Sequence, residues 1–293
     1  MKGYFPDWLK IEAPAEGVLD EMQKLIKGLS LHTVCEEANC PNAGDCFGSH
    51  TATFLLMGDV CTRNCSFCAV EHGKPMPLDQ NEPLRVAEAC RTLELKYVVL
   101  TCVTRDDLSD GGAFHMASVV RKVKELNPGA KVELLVSDLG GNWEALRCLL
   151  EAPLDVIGHN VETVPSLYPK VRPQAIYERS INLIEKAKKI APHILTKSGI
   201  MVGLGERFDE VVQVMKDLLS AGCDIFTIGQ YLQPSPHHFP LREYVSPAQY
   251  EEYERKAYEL GFKSVVAGPL VRSSYRADIC YEKAFKKGGD KVI

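Results

Sequence analysis

ATFLLMGDVCTRNCSFC, residues 52–68, joins a β-rich apolar run to a loop holding Cys61, Cys65 and Cys68. Nearly every residue of its first half is apolar, so it reads as a strand covered on both faces. Runs of the same kind recur at KYVVLTC (96–102), KVELLVS (131–137), LDVIGHN (154–160), HILTKSGIMVG (193–203) and DIFTIGQYL (224–232). Between them, residues 83–94, 113–127, 142–150, 177–190 and 206–221 carry helical patterns. Alternation of buried strands with helices predicts a parallel sheet covered by helices. Six such units in residues 51–232 predict an α/β fold of the partial (β/α)6 barrel type, short of the full eight-stranded closure. In parallel folds the chemistry lies at the C-terminal ends of the strands. The loop 61–68 follows the first strand directly, so its three thiols land on that face.

The segments on either side differ in character. Residues 1–50 read as one helix, Val18–Gly28, followed by a loop region with a second cysteine group, Cys35, Cys40 and Cys46. Residues 233–293 read as a helix over 247–260, a short strand KSVVAG (263–268) and an irregular tail, PLVRSSYRADICYEKAF (269–285). The expected organisation is therefore an N-terminal extension, a core over 51–232 and a C-terminal extension.

The 293 residues carry a net charge of −5 with basic residues scattered, which argues against a nucleic-acid-binding face. No leader pattern or membrane-spanning run is evident, so a cytoplasmic location is expected. A reducing compartment makes the eleven cysteines ligands, catalysts or core residues rather than disulfides. Each of the two groups offers three thiolates and no obvious fourth ligand. That suits an iron–sulfur cluster with one open iron better than a structural zinc, which takes four protein ligands. A zinc knuckle or a redox thiol set is the competing reading. Cys90, Cys102, Cys148, Cys223 and Cys280 read as core residues. His237-His238 reads as a loop feature near the mouth.

Cys61-x3-Cys65-x2-Cys68, with Phe67 before the last cysteine, resembles the signature of the radical S-adenosylmethionine (SAM) superfamily. The resemblance implies a 4Fe–4S cluster on these cysteines whose open iron binds SAM. One-electron reduction of SAM then yields a radical that abstracts hydrogen from an unactivated carbon. Phe67 would lie beside adenine or the cluster. Gly199-Ile200-Met201-Val202-Gly203-Leu204-Gly205-Glu206 resembles that superfamily's G-x-I-x-G-x-x-E motif, which implies SAM contacts at Gly203 and Glu206; the alternative is an ordinary strand-to-helix turn. Gly111-Gly112 stands where a G-G-E motif contacts the SAM amino group. Ala113 replaces the glutamate, which leaves Asp106, Asp107 or Asp110 as substitutes. Asn160 and Glu162 would contact ribose or methionine, against helix capping as the plainer reading. Arg172 would pair with the SAM carboxylate or a substrate carbonyl, against a surface salt bridge.

Cys35-x4-Cys40-x5-Cys46 upstream narrows the resemblance to the lipoyl synthase family. The likeness runs in order through CEEANCPNAGDCF, TCVTRDDLSDGGA, HNVETVPSLYPKVRP, TIGQYLQPSPHH and AGPLVRSSYRAD. It implies a second, auxiliary 4Fe–4S cluster on Cys35, Cys40 and Cys46, with Ser274 of Arg272-Ser273-Ser274-Tyr275 as its labile fourth ligand, Ser273 being the alternative, and Arg272 as a charge partner. A serine oxygen is a hard, unusual ligand for iron, fitting a bond that must break. The implied reaction inserts two sulfurs from that cluster at C6 and C8 of an octanoyl chain on a lysine of a lipoyl carrier domain. The carrier is that of a 2-oxoacid dehydrogenase or of glycine cleavage. A ferredoxin or flavodoxin would supply electrons, and an iron–sulfur carrier would rebuild the cluster. The two extensions must then close over the open mouth of the barrel. Rival readings are a methylthiotransferase or biotin-synthase-like enzyme, a two-cluster electron carrier and a zinc-binding module. The first lacks room for its extra domains or lacks the upstream spacing. The second would use four cysteines per cluster.

Overall fold

The computed structural model describes residues 6–10, 24, 26, 28, 29, 31–37, 40, 42 and 53–289, the side chains of residues 35, 36, 288 and 289 excepted. Among the described residues ten strands occur, in the order β1 (His32–Thr33), β2 (Thr53–Leu56), β3 (Val60–Cys61), β4 (Glu71–His72), β5 (Tyr97–Cys102), β6 (Lys131–Leu135), β7 (Val156–Gly158), β8 (Leu195–Val202), β9 (Ile225–Gln230) and β10 (Ser264–Gly268). Eight form one sheet, β1-β2-β5-β6-β7-β8-β9-β10, while β3 and β4 pair separately beside the cysteine loop. In the large sheet only β1–β2 is antiparallel.

All six expected strands are present, in sequential order. The helices Glu82–Thr92, Ala113–Leu126, Trp143–Leu150, Tyr177–Ile190 and Phe208–Ser220 supply the crossovers, which parallel pairing requires. Their burial follows helical spacing, as at Val211, Val214, Met215 and Leu218. Local chemistry fixes the ends. Asn142 accepts from Ala145 N at 3.0 Å, and Ser246 accepts from Gln249 N at 3.3 Å ahead of Pro247.

Each flanking segment adds a strand to the sheet. β10, from the C-terminal segment, pairs with β9 in register from Ser264 opposite Ile225 to Gly268 opposite Gly229. β1, from the N-terminal segment, pairs with β2. Of the expected helix Val18–Gly28, Lys24, Ile26 and Gly28 are helical and Ile26 is buried, while the rest lies outside the described residues. The tail expected to be irregular contains a helix, Ala277–Gly289.

That helix closes the lower end of the barrel. Cys280, Tyr281 and Ala284 pack on Val156, Leu195 and Ile225, the first residues of or near the starts of β7, β8 and β9. One layer above, Lys197 Nζ meets Glu133 Oε1 at 2.6 Å, with both side chains 2 % exposed. Tyr97 Oη donates to Glu133 Oε2 at 2.7 Å. Higher still, the chain passes over two glycines. A Cβ on Gly229 would lie 2.1 Å from the Val271 carbonyl oxygen, and one on Gly199 would lie 3.1 Å from Ser273 Oγ. The last stretch of chain thus runs down the inside of the barrel from mouth to base, and only residues without side chains leave it room.

Candidate functional site

The loop 61–68 stands at the end of β2, as expected. Arg63 N and Thr104 N approach Cys61 Sγ at 3.4 and 3.3 Å. Ser66 N bonds Val171 O at 3.0 Å, and Asn64 N bonds Gln174 Oε1 at 2.6 Å. From the other side Phe239 N bonds Ser66 O at 2.7 Å, and His238 Nε2 donates to Cys68 O at 3.0 Å. His238 Nδ1 in turn faces Ser235 Oγ at 2.8 Å. The thiols are thus held by backbone contacts to three separate segments.

Arg63 pins the same loop to the ends of β5 and β6. Its Nε and Nη2 reach Asp106 at 2.7 and 2.8 Å, and Nη2 reaches Asp138 Oδ1 at 2.7 Å. Burial pushes the Asp138 carboxyl up, but the Arg63 hydrogen bond and charge outweigh it and hold it at about 2. Arg63 and Asp138 were not singled out in the sequence. The available signal was a charged residue inside a cysteine loop that must be buried.

Arg172 is buried. Its Nη1 donates to Asn160 O, Val161 O and Tyr168 Oη at 3.0, 3.1 and 3.2 Å, and its guanidinium lies 5.4 Å from the Tyr168 ring centroid. It faces both Cys65 and Glu162. Glu162 takes a positive φ of 65° and pairs with Ile200 of β8. Burial raises its carboxyl, opposed by Arg172 and a hydrogen bond from Asn160. Asn160, Glu162, Arg172 and Cys65 therefore form one cluster, and the surface-salt-bridge alternative for Arg172 is excluded. Tyr168, which orients Arg172, was missed.

Phe67 and Met201 pack against the cluster Val171, Leu204 and Tyr231, an apolar wall next to the charged cluster. Gly203 and Glu206 support this wall from behind. Glu206 accepts Gly203 N at 2.6 Å and Leu204 N at 2.9 Å, so its two oxygens fix the turn that carries Leu204. Gly111 and Gly112 (φ 61° and 85°) form the turn into the helix Ala113–Leu126. Asp110 caps that helix through Gly112 N and Phe114 N, while Asp106 pairs with Arg63 and Asp107 with Arg105. All three acids suggested as substitutes already have partners.

The tail reaches the mouth beside the N-terminal segment. Asn42 Nδ2 donates to Leu270 O at 2.6 Å. Cys40 lies within electrostatic range of Arg272, whose Nη1 bonds Val271 O at 2.7 Å. Ser273 Oγ accepts from Asn160 Nδ2 at 2.6 Å. Ser274 makes no hydrogen bond to a described residue. Cys46 and the side chain of Cys35 lie outside the described residues.

The donor set fits an iron–sulfur cluster. The sulfurs of Cys61, Cys65 and Cys68 are not gathered within 4.8 Å as a single-ion site would need; among the described residues only His32, Glu37 and Asp59 meet that spacing. Burial pushes the Cys65 thiol up, and the Cys68 thiol to about 12, so thiolates there call for bound positive charge. Arg172 Nε and Asn160 Oδ1 are buried without partners, a sign that polar ligand groups belong beside them.

Comparison with known proteins agrees with this geometry. The model of the Radical SAM superfamily matches residues 55–218, and the chain belongs to that superfamily. A lipoyl synthase of Caldanaerobacter subterraneus subsp. tengcongensis is 58% identical over 94% of this chain and 96% of its own. Those of Alkaliphilus metalliredigens and Alcanivorax borkumensis are each 50% identical, over 95% and 94% of this chain and 96% and 85% of theirs. Within the superfamily, then, the chain belongs to the lipoyl synthases. It is a sulfur-inserting enzyme of lipoate biosynthesis that uses SAM and iron–sulfur chemistry. Two solved structures share the fold: methylornithine synthase (TM-score 0.57, 16% identity, 85% of this chain and 77% of that one) and HydG, a maturase of the [FeFe]-hydrogenase (0.59, 13%, 92% and 61%).

Proposed function

We propose that the chain inserts two sulfur atoms, at C6 and C8, into an octanoyl group carried on a lysine of a lipoyl carrier domain. The observation that carries this reading is the meeting of three elements at the mouth. The loop 61–68, the tail Arg272–Ser274 and Cys40 of the N-terminal segment are joined there through Asn160, Arg172 and Asn42. Cys61, Cys65 and Cys68 would hold the cluster that binds SAM; Cys35, Cys40, Cys46 and Ser274 would hold the auxiliary one. The bound groups supply reducing electrons and hydrogen abstraction at the first site and sulfur at the second.

The chain's residues position and shield. Phe67, Met201, Leu204 and Tyr231 offer an apolar wall for adenine. Arg172 and Glu162 meet the charged end of SAM, as the unpartnered Arg172 Nε supports. Gly203, Glu206, Gly111 and Gly112 act through the turns they hold. Arg272 balances charge beside Cys40. Residues 1–50 and the part of 233–293 ahead of Ala277 serve as the two halves of a cover on the core 51–232, while the helix Ala277–Gly289 shuts the base. Because the tail fills the barrel interior, the acyl chain lies across the mouth, away from bulk water.

The carrier is a 2-oxoacid dehydrogenase lipoyl domain or a glycine-cleavage carrier, a ferredoxin or flavodoxin gives electrons, and an iron–sulfur carrier restores the auxiliary cluster. Among the described residues no helix is long and apolar enough to cross a membrane. The free thiols of Cys40, Cys61, Cys65, Cys68 and Cys90 support a cytoplasmic setting.

The test is anaerobic. Protein reconstituted with iron and sulfide is given SAM, reductant and an octanoyl-lysine peptide. A gain of two sulfurs with loss of two hydrogens, alongside 5′-deoxyadenosine, is expected. Cys40→Ala should keep 5′-deoxyadenosine and lose sulfur insertion. Formation of 5′-deoxyadenosine with an unchanged peptide would refute the substrate.

A further inference from the structure

We propose that Ser273 is a positioning residue: held by Asn160, it latches the tail inside the barrel and thereby fixes Ser274 at the mouth. The resemblance weighs Ser273 only as the alternative to Ser274 for a cluster ligand, and it reads Asn160 as a ligand contact. The geometry gives them to each other. Asn160 Nδ2 lies 2.6 Å from Ser273 Oγ. Asn160 stands two residues beyond the end of β7, at the level where the polar interior meets the mouth.

The seat for this contact is built into two strands. A Cβ on Gly199 would come within 2.5 Å of Thr227 Oγ1 and 3.1 Å of both Asn160 Oδ1 and Ser273 Oγ. One on Gly229 would come within 2.1 Å of the Val271 carbonyl oxygen. Gly199 of β8 pairs with Thr227 of β9, and Gly229 pairs with Met201, so the two glycines lie at neighbouring levels on adjacent strands. They open a trough for residues 271–273 that any side chain would close. In that trough Ser273 points to the barrel wall and is occupied. Ser274, one residue on, makes no hydrogen bond to a described residue and is left for another partner.

Asn160 touches both halves of the site, through different atoms. The Asn160 carbonyl accepts from Arg172 Nη1 at 3.0 Å, and Arg172 faces Cys65. That bond runs through the Asn160 main chain, so loss of the side-chain latch frees the tail and leaves Arg172 in place beside the SAM-site cysteine. Where Asn160 serves only as a ligand contact, Ser273 would be a spectator.

The experiment has two arms; the second rests on the proposed reaction, the first does not. In the apo-protein, amide hydrogen exchange over residues 270–276 is compared among wild type, Ser273→Ala, Asn160→Ala and the double variant. Loss of one hydrogen bond is expected to speed exchange there about tenfold in either single variant, with the double no faster than the singles. Wild-type exchange in Ser273→Ala, or effects that multiply in the double, overturns the latch. Asn160→Ala approaches the contact from the rigid side and covers a failure of Ser273→Ala to fold. In the reconstituted enzyme, Ser273→Ala is expected to form 5′-deoxyadenosine as wild type does, while sulfur inserted per 5′-deoxyadenosine falls about tenfold. Faster exchange with an unchanged ratio overturns the positioning of Ser274. A changed exchange rate in an enzyme that gives no sulfur product at all refutes the reaction and leaves the latch standing.

Discussion

Below the Lys197–Glu133 pair the barrel is shut by apolar surface; above it, by a few hydrogen bonds. Both closures are made by the same last stretch of chain. At the base, Tyr281 and Cys280 are buried against the starts of the strands, and Tyr281 lies 5.8 Å from the Tyr97 ring. At the mouth, Val271–Ser273 rest in a glycine trough with one side-chain hydrogen bond to the wall, and Arg172 Nε and Asn160 Oδ1 stay unpartnered. Buried apolar area and a satisfied ion pair give the base high local stability. The tail's own hold at the mouth is that one side-chain hydrogen bond, so this stretch opens at lower free energy, as a site that admits substrate must.

The largest effect is expected at the boundary between the two. Lys197→Met leaves the Glu133 carboxylate buried with Tyr97 as its remaining partner. Breaking one side of a buried pair costs about 3–5 kcal/mol, whereas removing both charges costs far less. Denaturant unfolding of the apo-protein should show that loss for Lys197→Met and substantial recovery in Glu133→Gln/Lys197→Met. A loss below about 1 kcal/mol in the single variant would mean that water reaches this layer, and the contrast between base and mouth would fail.

A smaller effect, with a defined pH window, belongs to the mouth. Asp138 has its folded pKa depressed to about 2 by Arg63 against an ordinary value of 3.8. Its stabilisation is therefore complete above about pH 4 and is lost as pH falls through 2. The arithmetic gives about 2 kcal/mol. Asp138→Asn should be less stable at neutral pH and should lack this part of the acid transition. An unchanged acid limb in the variant would show that the Arg63 contact does not hold the cysteine loop.

The same contrast explains what was legible in the sequence. The barrel core announced itself because strands covered on both faces are apolar throughout, and each of the six was placed to within a few residues. The loop 61–68 was legible for a different reason: thiols at fixed short spacing are rare without a shared ligand. The helix Ala277–Gly289 was not legible. Its buried stripe, Ala277, Cys280, Tyr281 and Ala284, has helical spacing but is made of small or weakly apolar residues, while the larger apolar Ile279 and Phe285 are exposed. Its burial depends on the strands Val156, Leu195 and Ile225 open, far away in sequence. The partnerships of Arg63, Asp138, Tyr168 and Lys197 were hidden likewise. Lys197 in particular sits in an apolar-looking strand, and only the register of β6 through β8 brings Glu133 to it. Long-range pairing of charges leaves no local pattern.

The smallest expected effect probes the seam between the two ends of the chain. Asn42 Nδ2 donates to the Leu270 carbonyl at 2.6 Å, at the point where β10 gives way to the tail. Asn42→Ala removes one neutral hydrogen bond and leaves a part-buried carbonyl to find water, a loss of about 1 kcal/mol. That is too little to unfold the base, whose apolar contacts are untouched. It should appear instead as faster amide exchange confined to residues 268–274, with residues 277–286 unchanged. A change that spread to the helix Ala277–Gly289 would show that mouth and base open as one unit. The two closures would then differ in chemistry but not in function. Exchange confined to the upper stretch would establish that the N-terminal segment steadies the part of the tail that carries Ser274, while the base serves as its fixed anchor.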